Sequence, residues 1–231
     1  MREINLAQSE SKRRLLDAAE LLFAERGFEA VSVRDITQHA NANVAAINYH
    51  FGTRDGLIAL VVTRYLAPVN DERLARLDTL ERKGPGKAMP VEEIINALVR
   101  PLVGTVRKSD LSERQYCKLL GRIFAMQGKG LPQAMDDQMR QVSERFARAL
   151  GKALPAVAPE ELVWRMHFVV GAMIHMLIHE EMLQRLTGGA AGSPTMEATL
   201  GRFIRFAAAG LREGVELEPA VKKGPQAMFD F

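Results

Sequence analysis

Apolar residues along this chain recur at helical spacing, and no run alternates in the way a strand requires, so the pattern predicts an all-α protein. The first predicted helix runs from about Ser11 to Arg26, with Leu15, Leu16, Ala19, Leu22 and Phe23 on one face and Gly27 as its stop. Ser32, followed three residues later by Asp35, makes a capping box that starts a second helix, in which Val33, Ile36 and Ala40 share a face. Asn41 then stands where the chain must turn left-handed, a conformation Asn tolerates better than most residues. Asn43 caps a third helix from Val44 to Phe51, which Gly52 ends. Thr53 caps a fourth, which opens on Arg54 and Asp55, carries Leu57, Leu60, Val61, Tyr65 and Leu66, and runs toward Lys83 with a bend at Pro68, where a backbone donor is lost.

Beyond the break at Lys83-Gly84-Pro85-Gly86-Lys87, helices are predicted from Pro90 to about Arg107, from a Ser112/Gln115 capping box to about Gln127, and from Pro132 to about Leu154. Gly128-Lys129-Gly130 lacks the order of a phosphate loop and reads as a turn. The last two helices differ in kind. From Pro159 to about Thr187 the sequence is apolar on nearly every side around Val169 to Ile178, which argues burial against more than one surface, and Gly171 and Ala172 allow a second backbone to approach. A final helix from Ser193-Pro194 carries Met196, Leu200, Phe203, Ile204, Phe206, Ala207 and Leu211, again more than one stripe. The division expected is residues 1–53 as a DNA-binding domain, 54–214 as a helical ligand-binding and dimerisation domain, and 215–231 as a loose tail.

Two short helices at a tight turn, Ser32 to Phe51, describe a helix-turn-helix, whose second helix enters the DNA major groove. The stretch LLDAAELLFAERGFEAVSVRDITQHANANVAAINYHFGTRDGLIALVV, Leu15 to Val62, resembles the N-terminal DNA-binding domain of the TetR family of transcriptional regulators. The chain departs from the family at Asn41, where Gly is usual, and at Asn48, where Tyr is often found. Val44, Ala45, Ala46, Asn48, Tyr49 and His50 are expected to face DNA, with Ile47 and Phe51 turned inward. Asn can read adenine bidentately, small apolar groups can meet the thymine methyl, and Tyr or His can donate to phosphate. The resemblance implies that Tyr49, His50 and Arg54 lie near the DNA backbone; Asn43, Ser32 and Arg34 complete the candidate set, with local capping the alternative role of Asn43.

A net charge of +3 points only weakly to nucleic acid, and residues 1–60 hold seven Lys or Arg against eight Asp or Glu, so any electrostatic footprint is local. Lys12, Arg13 and Arg14 sit where the first helix is predicted to start, the unfavourable end for cations; either a phosphate partner or a helix that begins earlier, at Asn5, accounts for them. The single cysteine, Cys117, fits a buried thiol in a reducing, cytoplasmic setting. No signal peptide is read at the start, and the longest apolar run, Phe168 to Ile174, is too short to span a bilayer.

His175 and His179 are four apart, with Glu180 beside them and His167 two turns earlier, but the order lacks a third ligand and no metal or other cofactor is expected. Phe124, Met126, Trp164, Met173 and Met176 form a soft apolar set that suits either ordinary core or the lining of a flexible ligand, with Arg122 and Arg165 as candidate cations at a pocket mouth. VWRMHFVVGAM together with AAINYHFG resembles the TetR-like regulators that respond to fatty acids or acyl-CoA thioesters. The expected protein is a homodimeric, ligand-responsive repressor of a palindromic operator, paired through its last two helices into a four-helix bundle. An architectural DNA-binding protein without a ligand, and a helical enzyme built on His167, His175, His179 and Glu180, are the other classes.

Overall fold

The computed structural model describes residues 2–84, 86–104, 110–126, 132–192 and 195–213, and among these the chain is helical throughout. The elements are α1 (Arg2–Arg26), α2 (Val33–His39), α3 (Val44–Phe51), α4 (Arg54–Lys83), α5 (Val91–Val99), α6 (Pro101–Gly104), α7 (Glu113–Ala125), α8 (Gln133–Ala153), α9 (Pro159–Ile178), α10 (Glu180–Leu186) and α11 (Met196–Arg212).

The N-terminal elements follow their local punctuation. The Asp35 N–H donates to Ser32 Oγ at 3.2 Å, and the Ser32 N–H donates back to the Asp35 carboxylate at 2.8 Å, closing the capping box of α2. Asn41 carries φ +47°, the left-handed residue between α2 and α3. Asn43 Oδ1 accepts the Ala45 N–H at 3.0 Å and Thr53 Oγ1 accepts the Gly56 N–H at 3.0 Å, so α3 and α4 both start on a side-chain cap.

Elsewhere the boundaries move. α1 begins at Arg2 rather than Ser11, so Lys12, Arg13 and Arg14 lie inside a helix, not at its positive end, and the dipole argument for a phosphate beside them falls away. The helix expected to run to Arg107 stops at Val99 because Pro101 has no N–H to continue it, and a single turn, α6, follows. The helix expected to reach Thr187 ends at Ile178, where His179 leaves helical geometry at φ −115° and ψ 25°; neither Gly nor Pro marks this break. The expected ends at Arg107 and Gln127, the turn at Gly128-Lys129-Gly130, the start at Ser193-Pro194 and the tail 215–231 lie outside the described residues.

One hydrophobic core runs from Leu15 and Phe23 in α1, through Ile36 and Ile47, along α4 and into α5, α7, α8, α9 and α11. α4 is common to both ends, packing against α1 and α3 early and against α5, α6, α7 and α8 later. Pro68 sits inside it without dividing it.

α9 buries Leu162, Arg165, Val169, Met173 and Leu177, spaced three or four apart along one stripe. Its opposite face leaves Val163, Trp164 and Phe168 exposed. Contrary to the expectation from apolar runs alone, α9 is long and apolar enough by length and composition to cross a bilayer, and 28% of its apolar window is buried within the chain. On α11, Phe203 is 7% exposed and belongs to the core, whereas Phe206 is 68% exposed.

Candidate nucleic-acid interface

α3 is held by one buried anchor. Ile47, 1% exposed, packs into the core, and Ala46, His50 and Phe51 flank it half-buried. That leaves Val44, Ala45, Asn48 and Tyr49 outward on one exposed face, with Tyr49 69% exposed. Tyr49 and His50 stand edge to face with ring centroids 4.9 Å apart, which limits the freedom of both rings. Lys12 Nζ lies 6.0 Å from the centroid of Phe51, so the exposed end of this α1 lysine sits beside the end of α3. Arg34, at the start of α2, is exposed.

Ser32, Asn43 and Arg54 are occupied differently. Ser32 and Asn43 spend their side-chain oxygens on helix caps. Arg54 is half-buried and points into the chain: its guanidinium donates to the Val31 carbonyl at 3.2 and 3.1 Å and to the Phe28 carbonyl. The residue expected near phosphate thus ties the α1–α2 connection to α4, because two carbonyls outside any helix need donors.

Behind α3, Glu20 links α1 to α4. Its Oε2 accepts the Tyr65 hydroxyl at 2.5 Å, and Oε1 lies 3.0 Å from the Arg64 guanidinium. Burial holds the Glu20 carboxyl above the usual carboxylate range; the Tyr65 hydroxyl and Arg64 pull the other way, and Asp17 and Asp110 add to the rise.

The expected ligand residues do not gather. Phe124 and Met173 are buried in the core, Met126 and Met176 are half-buried, and Trp164 is 61% exposed on the outer face of α9. The two cations expected at a pocket mouth are tied to backbone instead. Arg122 donates to the Ala24 and Glu25 carbonyls, both at 3.0 Å, in the last turn of α1, where four carbonyls have no helical partner. Arg165 donates to the Leu211 carbonyl at 2.9 Å and to Glu161 at 2.8 Å. His175 and His179 have ring centroids 4.8 Å apart, and among the described residues no three metal-ligating side chains come together.

What draws Phe124 and Met173 together is Arg73, which the apolar pattern passed over. The signal is present: position 73 falls on the α4 stripe of Leu66, Val69 and Leu77, where a charge is out of place. Glu20 is the same kind of intruder, between Leu16 and Phe23 on α1.

Among the described residues, depressions mark the surface in several places. One of about 430 Å³ lies between α1, α2 and the approach to α7, walled by Arg14, Asp17, Glu20, His39 and Asp110. A second, about 540 Å³, runs along the α4–α5 seam past Glu72, Arg76, Lys83 and Asn96, and a third of about 240 Å³ lies where α5 meets α11. None of the three is walled by Phe124, Met126, Trp164, Met173 or Met176.

Residues 15–61 match the family model described as bacterial regulatory proteins, tetR family, and residues 96–210 match the tetracyclin repressor-like C-terminal domain. The chain is 32% identical over 85 residues to the HTH-type transcriptional repressor BdcR of Escherichia coli K12, covering 37% of this chain and 42% of that protein. It is 36% identical over 55 residues to the probable HTH-type transcriptional regulator YttP of Bacillus subtilis, covering 24% and 27%. The matches thus span less than half the length of these curated relatives. Among solved structures, a TetR-like regulator from Rhodococcus sp. RHA1 superposes with a TM-score of 0.53 at 21% identity, over 87% of this chain and 95% of that one. A HlyIIR variant does so at 0.56 and 14%, over 90% and 99%, a likeness of fold. None of these names or descriptions concerns fatty acids or acyl-CoA.

Proposed function

Because the chain belongs to the TetR family of transcriptional regulators, we propose that it is a cytoplasmic repressor that holds a near-palindromic operator as a homodimer and leaves it when a small ligand with an apolar body enters the C-terminal helices. The observation that carries this is the exposed face of α3: Val44, Ala45, Asn48 and Tyr49 stand outward on a helix fixed by the Asn43 cap and by buried Ile47. Such a face offers methyl groups, an amide and a phenol at the spacing of base edges and phosphates. Ser32 and Arg34 stand at the start of α2, and His50 at the edge of the same surface.

Pairing through α9 and α11 supplies what one chain lacks. Trp164, Phe168, Val163 and Phe206 are large apolar groups left in water, and a symmetric partner covers them in a four-helix arrangement. The same pairing accounts for the apolar outer face of α9 without a membrane.

Ligand response needs two arrangements of the dimer that ligand and DNA favour differently; whatever binds the wider or narrower one must weaken DNA binding by linkage. α4 is the element that reaches both ends. Operator selection from random duplexes by the purified protein tests the reading. A pseudo-palindrome with half-site centres roughly 34–36 Å apart is expected, together with a dimer in sedimentation. Recovery of sequences without symmetry, or a monomer that binds as tightly, would remove it.

A further inference from the structure

Among the described residues Arg73 is the largest side chain buried to completion, and it carries a charge. It sits in α4 at the meeting of α5, α7 and α9. Nε donates to the Leu98 carbonyl at 2.7 Å, Nη1 to Asn70 Oδ1 at 3.0 Å, and Nη2 reaches the Met173 sulfur only at 4.0 Å. The ring of Phe124 lies under the guanidinium with its centroid 4.9 Å away. Among the described residues no carboxylate pairs with it. Burial has pushed its pKa down to about 10, still well above neutrality, so the group is a cation at pH 7.

Every partner Arg73 has is neutral, which is unusual for a buried charge, since such charges are ordinarily paired. Among the described residues three of its five N–H groups have no acceptor beyond the distant sulfur, and the terminal ones form the flat fork that suits a carboxylate held by two parallel hydrogen bonds. Its apolar neighbours are the Phe124 ring and Met173, and the Tyr116 phenol is the titratable group that acts on its charge. Met173, unbranched and flexible, is the wall best able to give way. The depression of about 540 Å³ lies farther along the α4–α5 seam, walled by Arg76, Asn96 and Ala97 and not by Arg73, Leu98, Phe124 or Met173. Asn96, in its wall, buries a side-chain oxygen with no donor, so the seam has unmet polar demand at a second point.

We propose that Arg73 is the counter-charge for an organic carboxylate, seated between α4, α5, α7 and α9 with its apolar body against Phe124 and Met173, an assignment that rests on the reading of the chain as ligand-responsive. The carboxylate takes two of these N–H groups, one on each terminal nitrogen, and its arrival in place of the Met173 sulfur loosens α9 from α4.

The test is a comparison of acids with their own primary amides on the full-length protein: octanoate, decanoate, benzoate and phenylacetate against octanamide, decanamide, benzamide and phenylacetamide. At matched concentration at least one acid should raise the melting temperature by several degrees while its amide does not. Arg73→Met should erase that difference. Arg73→Lys, which keeps the charge and loses the fork, should weaken the responding acid about tenfold or more. Acids no better than amides in the unaltered protein would overturn the assignment, as would a carboxylate preference that survives in Arg73→Met. If Arg73→Met does not fold, the acid–amide comparison and Arg73→Lys decide. Release of the selected operator is followed in parallel. Equal release by acid and amide removes the Arg73 site and keeps the ligand-responsive reading; acid-specific stabilisation without release keeps the site and removes that reading.

Discussion

Two arginines at the edge of the proposed DNA-facing surface are placed differently. Arg34 is exposed and Arg54 is spent on the Phe28 and Val31 carbonyls. Hydrogen bonds from a charged donor are worth about 1.5–3 kcal/mol, so Arg54→Ala should lower the melting temperature by roughly 3–10 °C for a chain of this size. Arg34→Ala should leave melting unchanged and make the salt dependence of operator binding shallower by about one unit. Equal melting of the two variants would show that Arg54 is not structural. Glu20 makes a pH prediction. Its carboxyl is held above the ordinary value of 4.5 by burial first, so the folded chain keeps a proton that the unfolded chain has released. The stability this gives is complete below 4.5 and is lost as pH rises through the folded value. Glu20→Gln, which keeps an acceptor for Tyr65, should flatten the change in melting temperature between pH 4.5 and 7; an unaltered slope would place the titration elsewhere.

At the scale of elements, helices announced by caps could be read directly. Ser32/Asp35, Asn41, Asn43 and Thr53 each do in space what their side-chain chemistry suggests, because capping is local and needs no tertiary partner. What depended on packing could not be read. Nothing local distinguishes Phe203 from Phe206, yet one is buried in the core and the other faces water. Nor do the sequences around Arg122 and Arg165 reveal that their partners are carbonyls 97 and 46 residues away rather than a ligand. For the α9–α11 face this changes the mutation that probes it. Phe206→Glu places a carboxylate in the proposed interface and should turn the dimer into a soluble monomer in sedimentation, with melting of the isolated chain little changed. Phe203→Glu would bury an unpaired charge inside the protomer and report only on folding. A Phe206→Glu dimer of undiminished affinity would put the interface elsewhere.

Across the whole molecule, the α1–α7 joint ties the two ends together beside α4. α7 grips the last turn of α1 through the two Arg122 bonds, with Gln115 and Lys118 reaching Glu25 beside them. The chain leaves that turn through Gly27, at φ +85°, and a methyl group there would come within 2.7 Å of the Arg122 guanidinium. α7 packs on α9 at its other side. Movement that starts around Phe124 and Met173 therefore has two routes to the recognition helix: along α4, and across this joint to α1. Severing the second while leaving the first should produce a regulator that is deaf rather than disabled. Arg122→Met is expected to occupy its operator normally in a cell and to keep a reporter gene silent at inducer concentrations that open it in the parent, the phenotype geneticists score as a super-repressor. Normal induction of that strain would mean that α4 carries the signal alone.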